Sequence, residues 1–507
     1  MSLPILSILL IVSLIASFSF IFNKSATQKS IQRQALFFAF IISALCLSAT
    51  FVFFQSPETG LQLIESYNWI GNILVFKLGL DGLSVNMLIL IGFILPIIVA
   101  SQKITISKLN YGLLFAFISS VIGVFIAQDL ISFFILFELE IIPLYIFLNS
   151  DNSIGSSQSQ SEKNSVANQF LIYALTAASF ILAGIIILFM ANDGKTFSFD
   201  ELSALNLQSA SNNSQSLQKI SFFLFLIGFL IKIPVLPFHA WFVKAIQRSS
   251  LGLIALLMIK VSAYALLRFT TELFPALLQE YSGLIAFIGC FNIIVGALFA
   301  IKQKEIKLII AYSVISHLGF VLLGLSSGNA AGLSGALFQI FSHTILSIAL
   351  ILALGILEEK AGKNNLELND LGGFANNMPI FFFIFMGLIM ANLGLPALSG
   401  FIGESLVFYS LFTNASAFNY PQILSLIATL SIIFSAAYLL YILKKTCFGS
   451  LNNKLNLITD LENKQKLLLG SLLFISLFLG IFPQILLEKS KASLELVEIN
   501  LRKTSIQ

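Results

Sequence analysis

The sequence predicts an all-α, polytopic membrane protein of about fourteen transmembrane helices, with two inverted five-helix repeats and two discontinuous helices. Three observations predict it. Of 507 residues, 57% are apolar and only 10% are charged, against about 25% charged in an ordinary soluble chain. The mean hydropathy is +0.95, and 51 residues are Phe. Fourteen stretches are long and apolar enough to cross a hydrocarbon layer about 30 Å thick. Finally, Lys and Arg alternate from loop to loop. A soluble core has no room for so much apolar surface, which excludes a water-soluble enzyme.

The first stretch, 2–22, has no basic lead and no small-residue cleavage site, so it reads as a retained helix and not as a signal peptide. Stretches 35–54 and 83–101 complete an N-terminal unit, 1–109. Five more (110–127, 128–148, 168–191, 219–237 and 250–269) make a first repeat, 110–269. The next five (281–301, 306–325, 333–356, 379–411 and 421–443) make a second, 281–446. The last, 467–487, leads into the C-terminal tail and closes a unit at 467–507. Polar segments separate them, among them the Ser- and Asn-rich run 149–168. Lipid cannot hydrogen-bond the backbone, so each span must be helical; the ten-residue alternation of a barrel is missing.

Eighteen Lys and Arg residues follow odd-numbered spans, and four (Lys77, Lys195, Lys219 and Arg268) flank the even-numbered ones. The positive-inside rule then puts the odd loops on the cytoplasmic side and both termini opposite. The tail's Lys489, Lys491, Arg502 and Lys503 fit that placement less neatly. A net charge of +4 spread over loops makes no basic face, so no nucleic-acid partner is expected. Cys46, Cys290 and Cys447 lack any ligand spacing and read as small apolar fillers, leaving no metal site and no redox centre on the chain.

Two spans carry helix breakers. The seventh reads FLIKIPVLPFHAW, with Pro234 and Pro237; the twelfth reads ANLGLPALSGFIGESLVF, with Pro396 between glycines. Each proline removes a donor and frees a carbonyl, so both helices should be interrupted within the membrane. They lie five spans apart, as inverted repeats require, and mark the transport sites.

A charge at mid-bilayer costs at least ~2.5–3.5 kcal/mol and needs a partner or a task. Glu138 and Glu140 fall in span 5, Lys232 in span 7, Lys260 in span 8, His317 and His343 in spans 10 and 11, and Glu404 in span 12. Acids, bases and imidazoles alternating through an apolar bundle are the makings of a proton wire. Glu138 and Glu140 are two residues apart and cannot share one face of a continuous helix; Glu138 is favoured as the deeper. Singly, either histidine would read as a satisfied core residue bonding between helices; among three buried charges the relay reading gains. His239, after Pro237, reads as an interfacial anchor, Lys244 as a snorkelling side chain, and Lys302, Lys304 and Lys307 as a solvated loop.

The motifs FELEIIPLY (137–145), KIPVLPFHAW (232–241), MIKVSAYALLRF (258–269), AIKQKEIKLIIAYSVISHLGFVLLG (300–324), FQIFSHTILSIALILALG (338–355) and LPALSGFIGESLVF (395–408) resemble the antiporter-like membrane subunits of complex I. Within that family they fit the chain 4 (D subunit) branch of the cyanobacterial and plastid NAD(P)H-quinone oxidoreductase. The resemblance covers roughly residues 80–450. It implies a fourteen-helix proton-pumping subunit without a redox site. It also implies a Glu138–Lys232 charge pair in a first half-channel, Lys260 bridging to His317 and His343, and Glu404 ending a second. A glutamate at 404, where sister chains carry lysine, suits chain 4. The family's PFHTWLPDAH becomes PFHAWFVKAI here, with Lys244 and Ile246 in place of an Asp and a second His. That departure suggests a diverged paralogue, such as a carbon-dioxide-uptake form.

The function so implied is proton translocation within a quinone-reducing NAD(P)H or ferredoxin dehydrogenase. Quinone, NAD(P)H or ferredoxin and iron–sulfur clusters are expected on other subunits, with no cofactor on this chain. The expected partners are other membrane subunits, chiefly neighbouring antiporter-like ones, and the lipid bilayer, most naturally of a cyanobacterial or plastid thylakoid. The alternative is a subunit of a multi-chain monovalent cation/proton antiporter, which would share the buried Glu and Lys pattern.

Overall fold

With no water available, a spanning segment survives only where its own turns satisfy the backbone. The chain meets this demand with long helices and departs from it at a few charged positions. A computed structural model describes residues 4–22, 27–56, 60–70, 74–102, 107–150, 160–204, 212–413, 421–449 and 459–505. Most of the Ser- and Asn-rich run (151–159), and Lys24, Lys103 and Lys454 of the charge pattern, lie outside the described residues. Among the described residues, thirteen helical segments are long and apolar enough to span a membrane. The fourteenth crossing is the broken pair Pro379–Asn392 and Ser399–Thr413, so the spans match the fourteen apolar stretches one for one.

Small polar side chains start several helices. Thr27, Ser107, Asp129 and Asn329 each accept the N–H three residues on, satisfying donors that the helix leaves orphaned. Spans 10 and 11, Ile306–Ser326 and Ala330–Ala361, form the centre: 94% of span 11's apolar window is enclosed, against 28% for span 14, Asn463–Ile481, at the rim. Spans 9 and 10 meet where Gly289 faces Gly319. A Cβ on either would stand within 2.8 Å of the other's carbonyl oxygen, so only glycine permits that approach. Cys46, Cys290 and Cys447 are buried and unpaired with one another.

The loops following even-numbered spans gather on one face. There a two-stranded antiparallel hairpin, β1 Gln62–Ile70 and β2 Leu74–Leu80, lies in a segment that the sequence reading left as loop. Glu65 accepts the N–H groups of Leu6 and Ser7 at 2.8 and 2.9 Å, fastening span 1 to the hairpin. Leu78 pairs with Ala127, and Asp129 with Ser198. The tail forms a helix, Gln484–Ser505, on this same face: Ser493 accepts from the Gly82 N–H and Glu498 from the Ala330 N–H. On the opposite face Glu305 pairs with Glu367, and Asp460 accepts from the Ile380 and Phe381 N–H groups.

One reading of the charges is overturned here. Lys307 is no loop residue. It sits in the first turn of span 10, 4% exposed, with its ammonium 3.2 Å from Glu358 of span 11 and 3.0 Å from the Asn365 side chain. The helix begins at Ile306, two residues after Lys304, and carries the third lysine of the run inward. Removing one partner of a buried pair strands the other, at a cost of about 3–5 kcal/mol. Lys307→Met should therefore destabilise the detergent-solubilised protein by that order in thermal unfolding. Lys307→Met with Glu358→Leu should recover most of the loss. A shift below about 0.5 kcal/mol in the single variant would mean a solvated side chain.

Candidate functional site: a buried row of acids and bases

The seventh span, Asn212–Lys232, ends on its lysine, and the chain resumes as helix only at Ala240. Pro234 and Pro237 keep the intervening backbone out of helix. Asn292 of span 9 spans the gap, accepting the Leu236 N–H at 2.9 Å while donating to the Ile315 carbonyl. Trp241 donates its ring N–H to the Ile231 carbonyl at 3.2 Å, closing the gap from the other side. The Leu236 N–H and the Ile231 carbonyl, at the two sides of the break, are thus bonded within the protein.

Lys232 is held by four groups. Its ammonium is 3.1 Å from Glu138, 3.2 Å from Glu140 and 2.9 Å from the Phe137 carbonyl, and it stands 3.3 Å from the centre of the Phe137 ring. Glu138 and Glu140 leave span 5 in different directions, as their spacing predicts, yet both side chains reach the one ammonium. Helices Leu130–Leu139 and Ile141–Ser150 meet at Glu140, whose backbone keeps helical angles (φ −65°, ψ −24°), so the fifth span runs on with its direction unchanged. The Glu138 side chain is 18% exposed and that of Glu140 8%.

Lys260 marks a further break, which no proline or glycine announces. Helix Leu251–Leu257 stops, and Val261–Leu273 begins just after the lysine. Its ammonium donates to the Met258 carbonyl freed by the break (3.2 Å) and to the Thr344 and Ser347 hydroxyls of span 11 (3.4 Å each). Between this lysine and the first pair lies a cavity lined by Glu140, Lys232 and Lys260, together with Tyr173 and Trp241. It offers about 70 Å³ to water centres, several times the ~10–15 Å³ that one water needs.

The second half repeats the plan with the signs exchanged. Glu404 lies in Ser399–Thr413, just past the break in span 12, with a carboxylate oxygen 3.1 Å from His317 Nδ1 of span 10. The Gln339 amide nitrogen also faces that ring nitrogen at 3.3 Å. Gly394 takes φ +77° in the break, and a Cβ there would stand 2.9 Å from Glu404 Oε2. The His317 and His343 rings are tilted against each other, 4.2 Å between centres. Both ring nitrogens of His343 are buried without a hydrogen-bond partner among the described residues. The Ser347 hydroxyl that touches Lys260 also donates to the His343 carbonyl. All six expected residues therefore fall in one row, with Glu140 as a seventh. No direct bond between Lys260 and either histidine is found among the described residues. His239 stays apart, its Nδ1 3.2 Å from the Pro237 carbonyl, and Lys244 is exposed.

Sequence reasoning missed a second cluster. Arg268 was counted with the loop charges, yet it is 2% exposed and pairs with Asp81 (2.7 Å), the Gln128 amide oxygen (2.9 Å) and the Tyr264 hydroxyl (3.1 Å). Burial pushes the Asp81 carboxyl up, but the Arg268 guanidinium and the Ser84 N–H and hydroxyl more than reverse this, holding it below the usual carboxylate range. Four-residue spacing from Tyr264 to Arg268 was the available signal, since it puts both on one helical face.

The architecture and the row define a class: a channel-like bundle with one acid–base pair at each of two broken helices. Residues 127–420 match the family of NADH:quinone oxidoreductase/Mrp antiporter transmembrane proteins, and the chain belongs to it. Among curated relatives it is 33% identical to NAD(P)H-quinone oxidoreductase chain 4 1 of Synechococcus elongatus, over 90% of this chain and 84% of that one. It is 34% identical to the chloroplastic chain 4 of Mesostigma viride, over 88% of each. Its fold matches a chain of respiratory complex I from Thermus thermophilus with a TM-score of 0.84 at 24% identity, covering 98% of this chain and 99% of that one. It matches a chain of the Mrp complex from Dietzia sp. DQ12-45-1b equally well, at 0.84 and 19% identity, covering 100% of this chain and 99% of that one.

Close packing of span 12 on span 11 sets the Glu404 position. A Cβ on Gly403 would come 2.5 Å from the Gln339 amide oxygen and 3.1 Å from Gln339 backbone atoms. Gly403→Val should therefore push the two helices apart and lower the yield of folded, monodisperse protein sharply. Gly470→Ala, with open space around it, should match the unchanged protein on size exclusion and even gain a few tenths of a kcal/mol in helix propensity.

Proposed function

We propose that this chain moves protons across the bilayer as one antiporter-like subunit of a quinone-reducing NAD(P)H or ferredoxin dehydrogenase. One observation carries the reading: a single buried row runs from Glu138, Glu140 and Lys232 through Lys260 to His317, His343 and Glu404, passing the breaks of spans 7 and 12. A proton added at one end changes the charge met by the next group, and so displaces a proton further on. In this reading electron transfer takes place on other subunits, where quinone, the electron donor and iron–sulfur clusters reside. The row answers their state by changing charge.

The chain 4 names of its relatives support a place beside other antiporter-like subunits. Their cyanobacterial and chloroplastic origins support a thylakoid membrane. The charge alternation supports odd loops on the cytoplasmic or stromal side and both termini on the lumenal or periplasmic side. The altered stretch 242–250 favours a diverged form of the complex, such as one serving carbon-dioxide uptake. A second reading, a monovalent cation/proton antiporter subunit, is favoured by the equal fold match to the Mrp chain.

Lys232→Met in the assembled complex should leave subunit composition unchanged. It should cut donor-driven acidification of membrane vesicles by ~10-fold or more, since it removes a proton-transfer group. The purified single chain should neither oxidise NADH nor reduce a quinone. Cation-dependent proton release from vesicles carrying this chain, with no electron donor present, would favour the antiporter reading instead.

A further inference from the structure

Between Lys232 and the face that carries the hairpin lies a body of phenylalanine rings that the acid–base row does not use. Phe133 and Phe137 of span 5 are four residues apart, as are Phe225 and Phe229 of span 7, so each pair shares one face of its helix. Phe269 of span 8 closes on both, its ring centre 4.3 Å from that of Phe133 and 5.4 Å from that of Phe229. These rings, with Phe199 of the short helix Phe199–Ala204, are at most 3% exposed. Four of them stand in line: Phe137 and Phe133 at 5.0 Å, Phe133 and Phe269 at 4.3 Å, Phe269 and Phe199 at 5.2 Å. The line has a cation at each end. The Lys232 ammonium is 3.3 Å from the centre of Phe137, and the Arg268 guanidinium is 5.5 Å from that of Phe199.

We propose, resting on the proton-translocating reading above, that this phenylalanine body is the proton barrier of the first half. It keeps a proton held at Lys232 and its two glutamates from running to Arg268 and the hairpin face. The chemistry of the ring fits the task. A phenyl ring attracts a cation through the negative face of its π-system. Yet it has no lone pair to accept a proton and no N–H or O–H to pass one on. The two cations are therefore held at the ends of a body that cannot conduct between them. Leucine would fill the space but leave both cations against bare hydrocarbon, which is costly for a buried charge. Water cannot bridge the line either, since a buried water needs several polar partners and the rings offer none. On its other side Lys232 faces the cavity it shares with Glu140 and Lys260, which offers about 70 Å³ to water centres. One ammonium thus has room for water on one side and rings on the other, which gives its proton a direction.

The test uses vesicles carrying the assembled complex, with subunit composition checked, an imposed pH gradient and no electron donor. The readout is the rate at which the gradient decays. Phe133→Ser puts a hydroxyl and room for water in the middle of the line. It should speed the decay by ~10-fold or more, a barrier lowered by at least about 1.4 kcal/mol. Phe269→Tyr adds a hydroxyl and little volume; it should also speed the decay, by less, and it decides the question if Phe133→Ser fails to assemble. Phe133→Leu, still apolar, should decay as slowly as the unchanged complex. Decay unchanged in both hydroxyl variants overturns the barrier. So does a Phe133→Leu leak as fast as that of Phe133→Ser, which would mark a packing defect. Donor-driven acidification by Lys232→Met keeps the two readings apart. If that variant pumps normally, the translocating reading falls, while the decay rates, taken without donor, still decide on the barrier.

Discussion

A buried ammonium in a lipid-facing bundle has no solvent to lean on, so its own chain must supply every compensating group. The helices are arranged to meet that demand at Lys232. Its span ends there, span 5 presents two carboxylates, and the Phe137 carbonyl and ring close the remaining sides. Lys260 meets the same demand differently, taking the Met258 carbonyl released by a local break and two hydroxyls from span 11. At both lysines an interruption of helix and a charge coincide, and at Lys260 the interruption frees the backbone oxygen that holds the charge.

The two halves share a plan and differ in sign. In the first half the acids are on span 5 and the base on broken span 7; in the second the imidazole is on span 10 and the acid on broken span 12. Exchanging the sign places Lys232 and Glu404 at opposite ends of the row, with Lys260 and the paired histidines between. A charge change at one end is then met by a group of opposite character at the other. Spans 10 and 11, the most enclosed among the described residues, carry the middle of the row.

Much of this was legible in the sequence. Apolar length gave the fourteen spans, and Pro234, Pro237 and Pro396 announced two of the breaks. Residue types alone picked out Glu138, Lys232, Lys260, His317, His343 and Glu404, although their roles rested on resemblance. What escaped did so for stated physical reasons. Glu140 ranked behind Glu138 because helical periodicity turns the two to different faces, whereas both side chains are long enough to reach one ammonium. The break before Lys260 carries no breaker residue at all. Lys307 and Arg268 were read as loop charges because the sequence shows proximity along the chain, whereas their partners Glu358 and Asp81 are 51 and 187 positions away. The hairpin at 62–80 had a signal that went unread: two short alternating runs around Gly71 and Asn72.

The central claim is that the seven groups form one wire and not two independent sites. Members of a single relay fail as a unit, whereas separate sites lose activity multiplicatively. The direct measurement is a double-mutant cycle on donor-driven vesicle acidification, using Lys260→Met and Glu404→Gln in complexes of verified composition. One wire predicts that the double variant pumps about as poorly as the worse single variant. Losses that multiply would show two separate paths and contradict the account.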